Sequence, residues 1–344
     1  MLTADPITAS QLHEKLKDVK LGGTTCLYPL EKCERYVPLI NRINELKAEQ
    51  NAVVLAHSYV SPEIIYGVAD FVGDSYGLAK DAMSTDATTI VFAAVKFMGD
   101  TAKILNPTKE VLIPSELNGC TLADSITGDD VRKLRRENPD FMFICYINTS
   151  ADVKAECDVC VTSSNAYDIV ERVPSDKIYF LPDKLMGFNI IEEMKTRKVD
   201  KEIKLWDGTC YVHEEYDPDM IDYLRSQHPE LRVLSHPECS PGVLQHSDYV
   251  GSTSQLLNYM KDTDAETILM LTECGITSRL QVEMPHLKFV GSCSMCRYMK
   301  SNTLQDILRV LENPRPQDVI SIDEGVQARA LACIEAMFEY AERK

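Results

Sequence analysis

Val54-Leu55-Ala56-His57-Ser58-Tyr59, Phe143-Ile144-Cys145-Tyr146-Ile147-Asn148 and Val233-Leu234-Ser235-His236-Pro237-Glu238 are three versions of one passage, an apolar run that breaks into polar residues. His57 and Tyr146 stand 89 positions apart, Tyr146 and His236 90 apart. A second element follows each copy at the same offset: Gly73-Asp74-Ser75, Val161-Thr162-Ser163-Ser164 and Val250-Gly251-Ser252-Thr253. A third is an apolar strand: Thr89-Ile90-Val91-Phe92, Ile178-Tyr179-Phe180-Leu181 and Thr267-Ile268-Leu269-Met270. Single cysteines close the pattern, Cys120, Cys210 and Cys296, spaced 90 and 86 apart. A unit repeated in sequence predicts a unit repeated in structure.

Around these passages short β-branched strands alternate with helical stretches. That alternation predicts an α/β fold of parallel sheets built from βαβ units. About 90 residues hold only three or four strands, so each unit is expected to be a small three-layer αβα domain. The expected boundaries are 1–120 with 300–344 for the first domain, 121–208 for the second and 209–299 for the third. Helices are expected over 7–20 and 34–50, separated by Gly22-Gly23. The last helix, 323–342, has no counterpart within a copy and is expected to cover the first domain with the N-terminal helices. Ligand-binding groups of open parallel sheets sit beyond the carboxyl ends of the strands. His57, Tyr59, Tyr146, Asn148, His236 and Glu238 fall there. Ser75, Ser163 and Thr253 fall at strand-to-helix turns, which suit carboxylate or phosphate.

The chain has 344 residues and a formal net charge of −17. The acidic balance argues against nucleic acid as a partner. No apolar stretch approaches a membrane span, and residues 1–20 carry no apolar signal core. A cytoplasmic protein is expected. Its twelve cysteines then read as thiols, metal ligands or catalytic groups rather than disulfides. Most have no telling spacing: Cys26, Cys33 and Cys333 are unpartnered, and Cys145 and Cys274 read as small buried hydrophobes. Cys157 and Cys160 read as structural. Cys293 and Cys296 form a second CxxC pair, for which a regulatory disulfide is conceivable. Cys120, Cys210 and Cys296 repeat with the fold, and three soft ligands meeting on a pseudo-threefold axis suit an iron–sulfur cluster with one iron left open to act as a Lewis acid. Three loop cysteines sharing a repeat by descent and binding nothing is the alternative.

The same strings, in order and spacing, resemble the quinolinate synthase family from about residue 38 to the C-terminus. The motifs are His57-Ser58-Tyr59, Gly73-Asp74-Ser75, Phe97-Met98, Ala102-Lys103-Ile104-Leu105-Asn106-Pro107 and Gly119-Cys120-Thr121-Leu122-Ala123-Asp124. They continue with Tyr146-Ile147-Asn148-Thr149-Ser150-Ala151, Thr162-Ser163-Ser164-Asn165-Ala166, Trp206-Asp207-Gly208-Thr209-Cys210-Tyr211-Val212-His213, His236-Pro237-Glu238-Cys239, Gly251-Ser252-Thr253-Ser254, Thr272-Glu273 and Cys296-Arg297-Tyr298-Met299-Lys300. Lys96, Gly99-Asp100 and Ser58 depart from the family's usual residues.

The resemblance implies three α/β domains around a pseudo-threefold axis and a 4Fe–4S cluster held by Cys120, Cys210 and Cys296, with one open iron. It implies a transferase reaction of NAD biosynthesis, the condensation of iminoaspartate with dihydroxyacetone phosphate to quinolinate, phosphate and two waters. Tyr59 is then the acid/base candidate near the iron, and Glu238 with His236 the proton-transfer pair. His57, Ser75, Tyr146, Asn148, Ser163, His236, Glu238, Ser252 and Thr253 are the expected substrate-binding residues. His213 would stand close behind the second ligand. Iminoaspartate is unstable, so a supplier is expected, L-aspartate oxidase or an aspartate dehydrogenase. Two other classes remain open on the residues: a cluster-dependent hydro-lyase, and a zinc-stabilised or electron-transfer protein.

Overall fold

In the computed structural model, residues 6–21, 24–291 and 294–343 are described. Cys293, and with it the expected CxxC switch, lies outside them. The chain forms three four-stranded parallel sheets flanked by helices. The first sheet contains Ala52–His57, Phe71–Gly73, Thr89–Ala93 and Glu110–Leu112. The second contains Met142–Tyr146, Val159–Val161, Lys177–Leu181 and Glu202–Leu205. The third contains Arg232–Ser235, Tyr249–Val250, Thr267–Leu271 and Lys288–Phe289. In every sheet the spatial order is second, first, third, fourth strand. The first and third strands are central and covered on both faces, so they read as continuous apolar runs rather than alternating ones. Thr267–Leu271, for example, is buried at every position.

Pairing register makes the repeat quantitative. Ala56 lies opposite Ala93, Cys145 opposite Leu181, and Ser235 opposite Leu271. One residue on, His57, Tyr146 and His236 therefore occupy the same place in the three units. Pairing with the second strands likewise equates Ser75, Ser163 and Thr253.

A third repeated device was not foreseen. Asp70, Asp158 and Asp248 each precede the second strand of their unit. Asp70 Oδ2 accepts from Val54 N at 2.7 Å, Asp158 Oδ2 from Phe143 N at 2.7 Å, and Asp248 Oδ2 from Val233 N at 2.8 Å. The same aspartate N–H groups return bonds to the carbonyls of Val54, Phe143 and Val233. Each carboxylate also meets a cation on the helix that enters its unit: Lys47 at 2.8 Å, Arg135 at 2.6 Å and Arg225 at 3.0 Å. The entering helix, first strand and second strand are thus pinned together at one end, which fixes what emerges at the other.

Two strands escaped the sequence reading. Phe71–Gly73 is three residues long, and Glu202–Leu205 is an alternating edge strand whose first and third residues face solvent. Four helices were also missed, Tyr211–Glu214, Pro241–Gln245, Gly275–Glu283 and Arg297–Lys300. Beside Gly22-Gly23, Lys20–Leu21 and Thr25–Cys26 pair as an antiparallel hairpin rather than ending a helix.

The last helix, Glu324–Glu342, corrects an expectation. It does not chiefly cover the first unit. It packs on the strand Val159–Val161 and the helices Ala151–Lys154 and Ala166–Arg172 of the second, with Lys96–Leu105 of the first alongside. Arg172 donates to the carbonyls of Tyr340 and Ala341. The first sheet is covered instead by Leu30–Glu49 and Leu304–Glu312. The latter buries Leu304, Ile307, Val310 and Leu311, each worth about 1.5–3 kcal/mol of transfer free energy. After it the chain forms an antiparallel bridge, Leu112 to Val319, along the edge strand and crosses to the second unit.

Two of the family departures fit each other. Asp100 is buried, and Lys96 one helical turn earlier meets it at 2.9 Å. Gly99 packs so closely that a Cβ there would lie 2.5 Å from Ile113 Cδ1.

Candidate active site

The order second–first–third–fourth reverses direction between the first and third strands of each sheet. Crevices at the carboxyl ends of such strands are where open α/β sheets bind ligands. The three crevices converge on one cavity of about 60 Å³, room for a few waters. It is lined by His57, Tyr59 and Ser75 from the first unit, Tyr146, Asn148 and Ser163 from the second, and His236, Glu238 and Thr253 from the third. Asp74, Tyr76, Phe97, Ile147, Thr162 and Met299 complete the wall. Of the residues expected there, Ser252 is not brought in. It caps the helix Thr253–Asp262, and its hydroxyl donates to Asp74 Oδ2 at 3.3 Å across the contact between units.

Both pocket histidines are held in one tautomer. Tyr59 N donates to His57 Nδ1 at 3.2 Å, and Glu238 N donates to His236 Nδ1 at 3.3 Å. An imidazole accepting at Nδ1 carries its proton on Nε2. Burial lowers the His57 pKa to about 4, against the pull of Asp74, and that of His236 to about 3, against the pull of Glu238. Near neutral pH both rings are uncharged Nε2–H donors.

Glu238 joins the units. Tyr146 donates to its Oε1 at 2.7 Å. Its Oε2 lies 3.2 Å from His213 Nδ1, but neither atom has an aligned hydrogen-bond partner. Burial opposes ionisation of Glu238, yet the neighbouring His213, His236 and Tyr146 outweigh it and hold the carboxyl well below its ordinary range. Tyr59 is buried, and its hydroxyl pairs with Thr272 at 2.7 Å and accepts from Thr253 at 2.9 Å. Burial holds it protonated, its pKa well above the ordinary tyrosine value. Thr272 also contacts His213 Nε2 at 3.0 Å. Thr272 and Asp74 were not singled out beforehand. Their signal was position: Thr272 directly follows the third strand of its unit, Thr267–Leu271, and Asp74 adjoins Ser75.

The three repeated cysteines lie on loops tied into a ring. Trp206 Nε1 donates to Ser125 O at 3.2 Å, joining the Cys210 loop to the Cys120 loop. Tyr211 donates to Met295 O at 3.2 Å and accepts from Arg297 N at 2.9 Å, joining the Cys210 and Cys296 loops. Ser301 donates to Leu117 O at 2.8 Å and closes the circle. Gly208 has to be glycine for this approach, since a Cβ there would lie 2.6 Å from Pro182 O. Backbone N–H groups two or three residues on face each sulfur, from Leu122 and Ala123, from His213, and from Tyr298 and Met299. Burial nevertheless pushes all three thiols up, Cys120 to about 12. A cation would reverse that, because a bound metal deprotonates its thiols. Cys210 Sγ, a His213 ring nitrogen and a Glu238 carboxylate oxygen lie within 4.8 Å of one another, a group able to hold a metal ion. The two unpaired atoms of His213 and Glu238 belong to this same region, so the donor set fits a metal-containing group.

Fold and site together define an α/β protein with three like sheets, a shared central pocket and a group beside it, Cys210, His213 and Glu238, that could hold a metal ion. A family model described as NadA, Quinolinate synthetase A protein, matches residues 41–339, and the chain belongs to that family. Among its relatives, the "Quinolinate synthase" of Sinorhizobium fredii is 41% identical over 328 residues, covering 95% of this chain and 87% of that protein. "Quinolinate synthase 2" of Mesorhizobium japonicum is 45% identical over 298 residues, covering 87% and 90%. The "Quinolinate synthase" of Prosthecochloris aestuarii is 44% identical over 317 residues, covering 90% and 96%. No helix among the described residues is long and apolar enough to cross a membrane.

Proposed function

We propose that this chain is a quinolinate synthase that condenses iminoaspartate with dihydroxyacetone phosphate to quinolinate, phosphate and two waters in NAD biosynthesis. The observation that carries the reading is the tied ring of Cys120, Cys210 and Cys296 loops beside a pocket lined at equivalent positions of three units. In this reading the three cysteines hold a 4Fe–4S cluster. Its open iron supplies Lewis acidity that polarises a substrate oxygen or nitrogen and eases departure of hydroxide.

The chain's own residues do the rest. The Nε2–H groups of His57 and His236, with the hydroxyls of Ser75, Ser163 and Thr253 and the amide of Asn148, bind carboxylate and phosphate oxygens. Neutral donors suit this task because they do not neutralise Glu238. Glu238, ionised and held by Tyr146, takes protons during imine formation and ring closure. Tyr59 stays protonated and gives a proton to an oxygen leaving near the Thr253–Thr272 pair. Iminoaspartate comes from a separate oxidising enzyme, L-aspartate oxidase or an aspartate dehydrogenase. A thiol-rich centre of this kind suits the reducing cytoplasm.

The test is quinolinate formation by anaerobically prepared, iron- and sulfide-replete protein given dihydroxyacetone phosphate and iminoaspartate generated in place. Quinolinate that requires both substrates supports the reading. Its absence from fully loaded protein, with turnover of a hydroxy acid alone, would replace it by a hydro-lyase.

A further inference from the structure

Four cysteines that the active site does not use gather on the opposite side of the second unit. Cys145 lies on its first strand and Cys160 on its second, directly paired in register. Cys157 enters the second strand, and Cys333 comes from the last helix, 188 residues from Cys145. Cys145, Cys160 and Cys333 are almost fully buried and Cys157 is 7% exposed. The Cys145 and Cys333 sulfurs are 3.7 Å apart. Cys157 and Cys160 are near enough to influence the ionisation of the Cys145 thiol. Cys145 is thus the hub of the group, paired in register with Cys160 on the sheet and facing Cys333 on the helix.

A second, independent feature marks the volume for anions. Lys154 is fully buried. Its ammonium is held by the carbonyls of Ile147 and Thr149 and by the Thr149 hydroxyl, all neutral acceptors. Among the described residues no carboxylate lies within ion-pairing distance of it, while Cys145 and Cys160 feel its charge. A buried cation without an anion is costly. Thiolate supplies the anion, and a Cys145–Cys333 disulfide would not, since it is neutral.

We propose that Cys145, Cys157, Cys160 and Cys333 form a tetrathiolate site for one zinc ion, distinct from the three-cysteine centre, that clamps the C-terminal helix to the second sheet. Zinc–sulfur bonds of about 2.3 Å set sulfurs about 3.8 Å apart at the corners of a tetrahedron, close to the observed Cys145–Cys333 separation. A 4Fe–4S cubane holds its cysteine sulfurs much farther apart, so the Cys145–Cys333 spacing fits two thiolates on one metal ion. Four thiols lose four protons to solvent as zinc binds. The resulting double negative charge is offset in part by Lys154. Only Cys210, His213 and Glu238 among the described residues bring ligand atoms within 4.8 Å all round. The thiol group therefore closes on the ion by side-chain rotation. Cys157 and Cys333 also line a surface recess with Arg135, Glu156, Asp158 and Arg329, which opens the group to solvent.

The experiment uses anaerobic, iron-loaded protein stripped of loosely bound metal, titrated with zinc and, in parallel, with cobalt. The expected result is one zinc per chain with iron content unchanged, a tetrahedral thiolate spectrum with cobalt, and a rise in melting temperature. Cys157→Ser and Cys333→Ser weaken zinc binding roughly 100-fold or more, and Cys157→His, which keeps a ligand, restores much of it. Cys120→Ser loses iron and keeps zinc. The proposal is overturned if the unsubstituted protein takes up no zinc. It is equally overturned if zinc uptake follows Cys120 rather than Cys157, or if alkylation and mass analysis of the anaerobic protein find Cys145 and Cys333 oxidised to a disulfide.

Discussion

The Tyr146 hydroxyl, carried by the second sheet, donates a 2.7 Å hydrogen bond to the Glu238 carboxylate, carried by the third. The bond crosses between units and stabilises the ionised form of the base. Glu238→Gln keeps the shape and removes the basicity. Turnover should fall by roughly 10²–10⁴-fold, the usual contribution of a placed acid or base, while iron content stays unchanged. Tyr146→Phe removes only the hydrogen bond, so the acid limb of the pH–rate profile should move upward. Near-normal rates for Glu238→Gln would remove it from the mechanism.

Tyr59 is oriented by two threonines of the third unit, Thr253 and Thr272. Tyr59→Phe should lower kcat by roughly 100-fold without loss of iron, as expected for removal of a positioned acid. Thr272→Val leaves the phenol in place but less constrained. Losing one hydrogen bond of about 1 kcal/mol predicts a fall of roughly fivefold in kcat. Equal effects of the two substitutions would show that Tyr59 is not the proton donor.

Cys120→Ser, Cys210→Ser and Cys296→Ser should each abolish retention of iron and inorganic sulfide, measured after anaerobic reconstitution, because the three loops form one ring. Cys26→Ser, in the N-terminal hairpin away from that ring, should keep both. Full iron in any of the first three variants would withdraw that residue as a ligand.

Much of this was legible in the sequence, and the reason is physical. Strands buried on both faces must be apolar throughout, so the central strands announced themselves, and their ends placed His57, Tyr146 and His236. Edge strands have no such constraint: Glu202–Leu205 alternates like a surface loop and was missed. Glu324–Glu342 was recognised as a helix but assigned to the wrong unit, because amphipathicity shows that a face is covered and not by what. The same gap hid Cys333, whose partners are brought to it only by that packing. Ser252 is placed differently for a local reason. It shares a place in the repeat with the pocket residues Asp74 and Thr162, but its hydroxyl is used as a helix cap.

Buried neutral histidines predict how stability depends on pH. His57 and His236 titrate near 4 and 3 in the folded protein, against about 6.5 unfolded. The unfolded chain therefore binds more protons over the interval from about 6.5 down to 4 or 3, and stability falls with pH there. Each histidine contributes a loss on the order of 3 kcal/mol once pH is below its folded value. His57→Asn should flatten this decline, read by denaturant unfolding of the iron-loaded protein at several pH values. An unchanged slope would mean that His57 titrates in the folded protein close to its unfolded value.

Asp70, Asp158 and Asp248 make the repeat testable as an energetic unit. Each accepts one backbone N–H from a first strand and meets one cation from the entering helix. Hydrogen bonds to charged groups contribute about 1.5–3 kcal/mol, and the partly exposed ion pairs add at most about 1 kcal/mol. Asp→Ala at any of the three should cost about 1.5–3 kcal/mol in denaturant unfolding. One continuous core runs through the first and second units and includes Leu234, Leu256, Ile268 and Met270 of the third, whose remaining apolar residues form a separate smaller cluster around Val233, Val243, Leu269 and Leu271. Asp248→Ala should therefore loosen the third unit locally, with faster amide exchange on Arg232–Ser235 and Tyr249–Val250 than elsewhere. Asp70→Ala and Asp158→Ala should instead lower the stability of the joint core. Since His236 and Glu238 follow directly from Arg232–Ser235, Asp248→Ala is also the substitution expected to reduce turnover at a distance from the pocket. Local exchange that rises equally in all three variants would show that the units unfold as one.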